Sequence, residues 1–398
     1  MTAPAVALAP LRIGPLTVSP PVVLAPMAGV TNAPFRRLCR RYAAEGARVA
    51  PDGGSARRAE GGLFVSEMVM ARALIEGSDR TGRMAAFPPD EVPRSMQLYG
   101  TNPADVGGAV RQLVAEGAVD QIDLNFGCPA AKVTRKGGGA AIPVHPRLLA
   151  SIIGAAVAAA SPAGIPVTVK FRLGIDATLS THLATGRIAE DEGAAAVALH
   201  ARTAEQHYAG AADWSAIAAL KDHVRTIPVL GNGDILSGAD AVRMMAETGC
   251  DGVVIGRGCL GRPWLFRDLA DALAGRPEQP APLLGEAASV LREHGRLLAG
   301  WFGEPKGCRE LRKHTAWYLK GYPVGHDLRR RLGMVSSLVE LDDLLARLDP
   351  SQPLPAEAER LVRGHTNGPR RVVLPAHWLD TIEDPTPPAG ADDLVSGG

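Results

Sequence analysis

At 398 residues, 46% of them hydrophobic, the chain is long enough for one large barrel or sandwich plus a smaller domain, with apolar residues enough for a buried core. A formal net charge of +1, from 43 Lys and Arg against 42 Asp and Glu, excludes a globally polycationic protein, so any nucleic-acid contact has to come from a local basic patch. Five scattered cysteines, Cys39, Cys128, Cys250, Cys259 and Cys308, form no CxxC pair, which argues against a metal site or disulfide framework and for a reducing cytoplasm.

The first residues, "MTAPAVALAPLRIGP", lack a basic stretch followed by an apolar one and so do not read as a secretory signal. β-rich apolar runs then recur at 22–27, 64–69, 94–100, 119–127, 166–174, 195–203, 227–235 and 251–258, each followed by helical periodicity. Runs of nearly continuous Val, Ile and Leu are strands covered on both faces, and eight such βα units predict an α/β fold, a (β/α)8 TIM barrel over residues 1–275. A doubly wound sheet is the alternative. The segments 102–117 and 237–249 open on Asn or Ser and close on Gly, as helices between strands should. Residues 46–63, rich in Gly and Arg, read as a mobile surface insertion, and "LLASIIGAAVAAA" (148–160) is too short to span a bilayer, so no membrane is expected. After the Pro-rich linker 274–283, only helical signals remain over 284–348, a smaller all-α domain. Residues 350–398 read as a loosely packed, Pro-rich extension with a partly disordered tip.

Reactive groups in such barrels sit at the C-terminal ends of strands, and these ends carry residues that a core does not need. Gly231, Gly233, Gly256 and Gly258 at the seventh and eighth ends allow close backbone approach to a phosphate, with Arg257 as a forked cation; two ordinary Gly turns are the plainer reading. Lys170 lies in an otherwise apolar strand and needs an anionic or carbonyl partner, either a flavin-like ring edge or an internal ion pair with Glu67 or Asp123. Gln97 suits a pyrimidine-like edge or is a satisfied barrel-layer amide. Cys128 precedes Pro129 and a loop with Lys132, Arg135, Lys136 and Gly137 to Gly139; its thiol serves as a proton donor, or is simply a small core residue.

Taken together, "APMAGVTNAPFR", "SEMV", "QLYG", "DLNFGCPAAKVTRKGGGAAI", "VKFRLG", "LHARTAEQHYAGAADW", "GNGDI" and "DGVVIGRGCLGRPWLF" resemble the flavin-dependent tRNA-dihydrouridine synthase family over about residues 12–330, with the bacterial B-type members nearest in "RELRKHTAWYLKG". The resemblance implies an FMN-holding barrel, a helical domain that grips tRNA, and NAD(P)H, with NADPH as reductant, in a monomer that needs no metal. Carried over by position, Pro26, Met27 and Ala28 contact the flavin ring, Gln97 and Lys170 its polar edge, and His200 lies at the cofactor. Asn232, Gly233, Asp234, Gly256 and Arg257 hold its phosphate. Cys128 is the implied catalytic acid, protonating C5 of a flipped-out uracil while hydride reaches C6, and Asn125 orients the base. Asn32 stands where an Asp is usual, Ala201 where a Gly is usual, and the 46–63 insertion is atypical.

The helical region supplies the basic patch, with Lys306, Arg309, Arg312, Lys313, Lys320, Arg329, Arg330 and Arg331 against Glu310 and Asp327. Arg312 and Lys313, with Arg135 and Lys136 of the cysteine loop, are the expected RNA contacts; a solvated basic helix is the plainer reading. Arg36, Arg37, Arg40 and Arg41 either extend that surface or face water, and Arg172 and Arg202 either touch ligand or pair with nearby carboxylates. Competing functions are a small-molecule FMN oxidoreductase of the dihydroorotate or dihydropyrimidine dehydrogenase type, and a non-catalytic RNA-binding protein.

Overall fold

The computed structural model describes residues 9–49, 57–364, 368–388 and 390–391. It begins with a hairpin, β1 (Leu11–Ile13) and β2 (Leu16–Ser19), turned at Gly14, whose φ of +56° is a left-handed conformation that glycine adopts without strain. Then follow β3 (Val22–Leu24), β4 (Arg58–Glu60), β5 (Leu63–Met70), β6 (Ser95–Tyr99), β7 (Gln121–Phe126), β8 (Val167–Arg172), β9 (Ala196–His200), β10 (Val229–Asn232) and β11 (Gly252–Ile255). β3 and β5 to β11 are all parallel and close into a barrel in chain order, one strand on each of the eight apolar runs, with β5 one residue longer than its run at each end. The doubly wound alternative is thereby excluded.

Helices form the outer ring, and their caps are local in origin. Asn32 accepts the Phe35 N–H at 3.2 Å, Asn102 that of Ala104 at 2.9 Å, and Ser237 with Asp240 makes a reciprocal capping box. Asn at position 32 therefore caps as an Asp would. Helix Pro146–Ala160 starts an 18-residue window apolar enough to cross a bilayer, but it belongs to the ring, burying Leu148, Leu149, Ile152 and Ile153 against the barrel.

The lower end of the barrel is closed by the hairpin. Leu11, Ile13, Leu16 and Val18 pack against the inward Val23, Leu63, Val65, Ala198, Leu230 and Val254 in one apolar cluster. β4 joins the hairpin, Thr17 facing Arg58, with Ala59 buried. The C-terminal part of the expected insertion is thus a strand, held by pairing and by one alanine; its residues 50–56 lie outside the described residues.

Beyond the ring, helices Leu284–Phe302, Glu304–Tyr318, His326–Leu332 and Leu338–Leu345 bury their own apolar cluster, which takes in Leu38 and Trp264 of the barrel side. Among the described residues after Pro350 there is little regular structure, yet they are tied down. Arg360 pairs with Asp240 at 3.1 Å, Val362 accepts from Lys320 Nζ at 2.6 Å, and Trp378 is 7% exposed. Packing is therefore closer than the composition suggested; residue 389 and residues 392–398 of the expected disordered tip lie outside the described residues.

Candidate active site

Parallel register brings the polar strand ends into one layer at the C-terminal mouth. Gln97 lies opposite Asp123, Asn125 opposite Lys170, and His200 between Arg172 and Asn232. Asp123 accepts from Gln97 Nε2 and from Thr168 Oγ1, each at 2.6 Å, and burial pushes its carboxyl up to about 6. Gln97 is accordingly a partnered layer amide, its oxygen taking Asn125 Nδ2 at 2.9 Å.

Lys170 differs. Among the described residues its ammonium makes no hydrogen bond and no ion pair within 4 Å, although Asp123 attracts it; burial, then the like charge of Arg172, lowers it to about 8. The ion pair with Glu67 does not form either, because Glu67 accepts the Gly29 N–H in the loop after β3 and feels Arg36 and Lys313 instead. The three ammonium donors of Lys170 are left unspent, the arrangement expected of a group that meets a carbonyl-rich ligand. A cavity of about 20 Å³ lies beneath, walled by Asp123, Thr168 and Lys170 above and by Ile13, Val65 and Leu230 below.

Cys128 stands just beyond β7. Asn125 folds its side chain over the turn, its Oδ1 accepting the N–H groups of Gly127 at 3.0 Å and Cys128 at 2.9 Å, so in this arrangement it shapes the thiol's turn. The Cys128 carbonyl takes the Ala140 N–H at 3.1 Å, and Gly139, with φ +55°, packs so closely that a Cβ there would stand 2.6 Å from that carbonyl. Burial raises the thiol above its ordinary value, and Arg172, Lys132 and Lys170 offset only part of that rise. A thiol held neutral is a proton donor. Arg135 is exposed on the same loop and Lys136 is half-buried.

Around the mouth, arginines act as braces. Arg172 donates to the carbonyls of Gly127, Thr203 and His207 at 2.8 to 2.9 Å, and Arg202 donates to Gly210 and Asp234. Asp234, in the left-handed region at φ +55°, also receives Arg257 Nη2 at 3.2 Å and the Ala212 N–H at 2.7 Å. A carboxylate repels a phosphate, so the side chain of Asp234 aims Arg257 rather than holding an anion itself. Asn232 spends its Nδ2 on the Val254 carbonyl at 2.7 Å; Gly233 has φ +135°, and a Cβ there would meet Ala212 at 2.6 Å. Gly256 has open space where a Cβ would sit, apart from Ala25 at 3.8 Å. His200 is buried and held neutral by desolvation and the surrounding Arg172 and Lys170. Pro26 and Met27 are half-buried and Ala28 exposed at the same mouth. Among the described residues no group of three or more His, Cys, Asp and Glu is arranged to hold a metal ion.

The basic helices divide. Arg312 Nε donates to the Val335 carbonyl at 2.9 Å, Lys320 to Val362, and Arg329 to Leu319 and Tyr322, all internal ties. Lys313 pairs with Glu310 at 2.7 Å and leans over the loop after β3, its Nζ 3.4 Å from where a Cβ of Gly29 would be. Arg309, Arg330 and Arg331 are the outward-facing cations of the set. On the first ring helix, Arg36 is buried and bidentate to Glu91 at 2.5 and 2.8 Å, Arg40 reaches the Asp90 carbonyl, and Arg41 pairs with Glu293 across the interface to the helical region. These three are structural ties; only Arg37 is exposed.

A family model described as dihydrouridine synthase (Dus) matches residues 23–353. The chain is 56% identical over 388 residues, 98% of this chain and 97% of the relative, to a "probable tRNA-dihydrouridine synthase" of Mycobacterium tuberculosis. It is 55% identical to a protein of that description from Mycobacterium leprae, over 94% of this chain and all of the relative. Against "tRNA-dihydrouridine synthase B" of Xanthomonas axonopodis it is 39% identical over 319 residues, 80% of this chain and 90% of the relative. With a barrel mouth bearing a neutral thiol, an unspent ammonium and an aimed arginine, and with matches of this extent, the chain belongs to the dihydrouridine synthase family.

Proposed function

We propose that the protein is a flavin-dependent tRNA-dihydrouridine synthase that reduces the C5–C6 bond of uridines in tRNA, as a cytoplasmic monomer using FMN and NADPH. The observation that carries this is the pairing, at one barrel mouth, of the unpartnered Lys170 ammonium with the neutral Cys128 thiol. FMN, when bound, supplies two-electron reducing power that NADPH restores.

The residues present fit that cofactor. Lys170 has donors for the carbonyl edge of an isoalloxazine ring. Gly256 leaves room for a backbone cradle, Gly233 supplies a backbone turn at φ +135°, and Arg257, aimed by Asp234, offers a fork to the phosphate. Neutral His200 adds a hydrogen-bonding group without further positive charge. Pro26, Met27 and Ala28 form the rim against which a ring would lie.

Cys128 holds the proton that goes to uracil C5, and its raised value keeps it protonated at neutral pH. Asn125 sets the turn that carries this thiol. Arg135 and Lys136 on the cysteine loop, with Lys313 beside the loop after β3 and its neighbour Arg312, are assigned to the RNA side, where the exposed Arg309, Arg330 and Arg331 add phosphate contacts. Deleting the gene and digesting the tRNA to nucleosides should remove dihydrouridine from one or more positions; undiminished content in a strain without other synthases would refute the proposal.

A further inference from the structure

Residues 368–388 lie beyond residues 23–353, the stretch matched by the family, and the alignment with the Xanthomonas relative covers 80% of the chain against 98% for the Mycobacterium tuberculosis one. This added segment nevertheless runs along the active-site mouth. At its start the Arg370 N–H donates to the Glu205 carbonyl at 2.9 Å, in the loop after β9 whose Thr203 and His207 carbonyls hold Arg172. Val372 and Leu374 then pack on the barrel core.

Its far end grips the loop that carries Cys128. The buried Trp378 indole N–H donates to the Ala141 carbonyl at 3.0 Å, and the ring lies 3.8 Å, centroid to centroid, from that of His145. His145 Nε2 and Nδ1 meet the carbonyls of Trp378 at 2.7 Å and Asp384 at 3.1 Å. A Cβ at Gly137 would come within 2.7 Å of Pro388 and 3.0 Å of the indole. One residue from the indole's acceptor, the Ala140 N–H bonds the Cys128 carbonyl.

A loop containing Gly137, Gly138 and Gly139 has many accessible conformations; its own bonds, such as Gly138 N–H to the Val133 carbonyl at 3.1 Å, remove some, and a hold from outside restricts it further. We propose that residues 368–388 form a strap that positions the Cys128 loop for catalysis, with Trp378 as its clasp and positioning residue. The proposal rests on the reading of Cys128 as the proton donor. The thiol must stand within hydrogen-bonding reach of uracil C5, and a displacement of about 1 Å costs a reaction up to about a hundredfold.

The test uses flavin-loaded full-length protein, Trp378→Ala and Trp378→Phe, with a chain ended after residue 367 as a second variant. Three quantities are read: kcat and KM for tRNA, the rate of flavin reduction by NADPH, and the rate of Cys128 alkylation by iodoacetamide, followed peptide by peptide. Cys39, Cys250, Cys259 and Cys308 are all buried, so Cys128 reports the loop. Trp378→Ala should lower kcat about ten- to hundredfold with KM within about threefold, and raise Cys128 alkylation about tenfold. Flavin reduction should be unchanged, and Trp378→Phe should recover most of the loss. Alkylation and kcat within about twofold of the parent in Trp378→Ala would overturn the proposal, as would a rise in KM alone. If the shortened chain fails to fold, Trp378→Ala decides. Full activity in Cys128→Ala would sink the proton-donor reading, while the alkylation rates would still judge the strap.

Discussion

At the lower end of the barrel the β1–β2 hairpin presses Leu11, Ile13, Leu16 and Val18 against Val65, Ala198 and Leu230, whereas at the upper end β8 and β9 finish in Lys170, Arg172 and His200, with Arg202 just beyond. Below, apolar area leaves water and every side chain adds to stability. Above, three of these groups are cations taken out of water, and burial lowers both Lys170 and Arg172, a sign that the fold works against their charge. The contrast teaches where each end's free energy goes: the hairpin end makes the barrel stable, and the mouth spends part of that stability on groups that become useful only when a ligand arrives.

The sharpest test of that division is Cys128→Ala, which should lower uridine reduction about 10²- to 10⁴-fold while the protein still binds flavin and melts as before, read by single-turnover kinetics and thermal unfolding. Leu16→Ala should do the reverse. It removes a side chain 1% exposed in the plug and should cost about 2–5 kcal/mol of stability by denaturant unfolding, with kcat intact well below the melting point. A fall in kcat without a fall in stability would break the division.

Lys170 allows the two ends to be set against each other in a single pH series. The proposed role of Lys170 requires the ammonium, so FMN affinity should be full below pH about 8 and fall by up to about tenfold per unit above it. The ligand-free fold should move the opposite way. Its Lys170 value is depressed from 10.5 to about 8, so the unfolded chain binds more protons in that window and this group's contribution to stability rises with pH across it. Lys170→Met should abolish both trends and weaken FMN binding at neutral pH without lowering Tm, checked by fluorescence titration and calorimetry. The smallest effect belongs to the outer surface: Arg331→Ala should weaken tRNA binding uniformly and reduce the log–log salt slope by about one.

All eight barrel strands were legible because a parallel strand covered on both faces leaves a continuous apolar run, and because their polar ends stand out against it. Cys128, Lys170 and Arg257 stood out for the same reason, as residues a core does not ask for. Elements decided by distant partners were not legible. β4 is Arg-Ala-Glu, a strand only because β2 offers Thr17 opposite Arg58. Arg36 reads as a surface cation until Glu91, 55 residues on, is found enclosing it. Asn125 and Gln97 stood out as polar strand-end residues, but their partners, the Cys128 N–H and Asp123, carry no local signal. Trp378 lies in a proline-rich stretch whose composition suggests loose chain, and its role depends on Ala141 and His145, more than 230 residues away. The β1–β2 hairpin did carry a local signal, the alternation in "LRIGPLTV" about a Gly-Pro turn, that a search for long strands passes over.

The central claim is that the charged mouth holds a flavin and reduces uridine within tRNA. It is tested most directly by incubating the purified protein with FMN, NADPH and tRNA lacking dihydrouridine, then digesting the tRNA and quantifying its nucleosides. Dihydrouridine should form with the parent chain and be absent with Lys170→Met. Unmodified tRNA alongside turnover of a free pyrimidine by the parent chain would contradict the account.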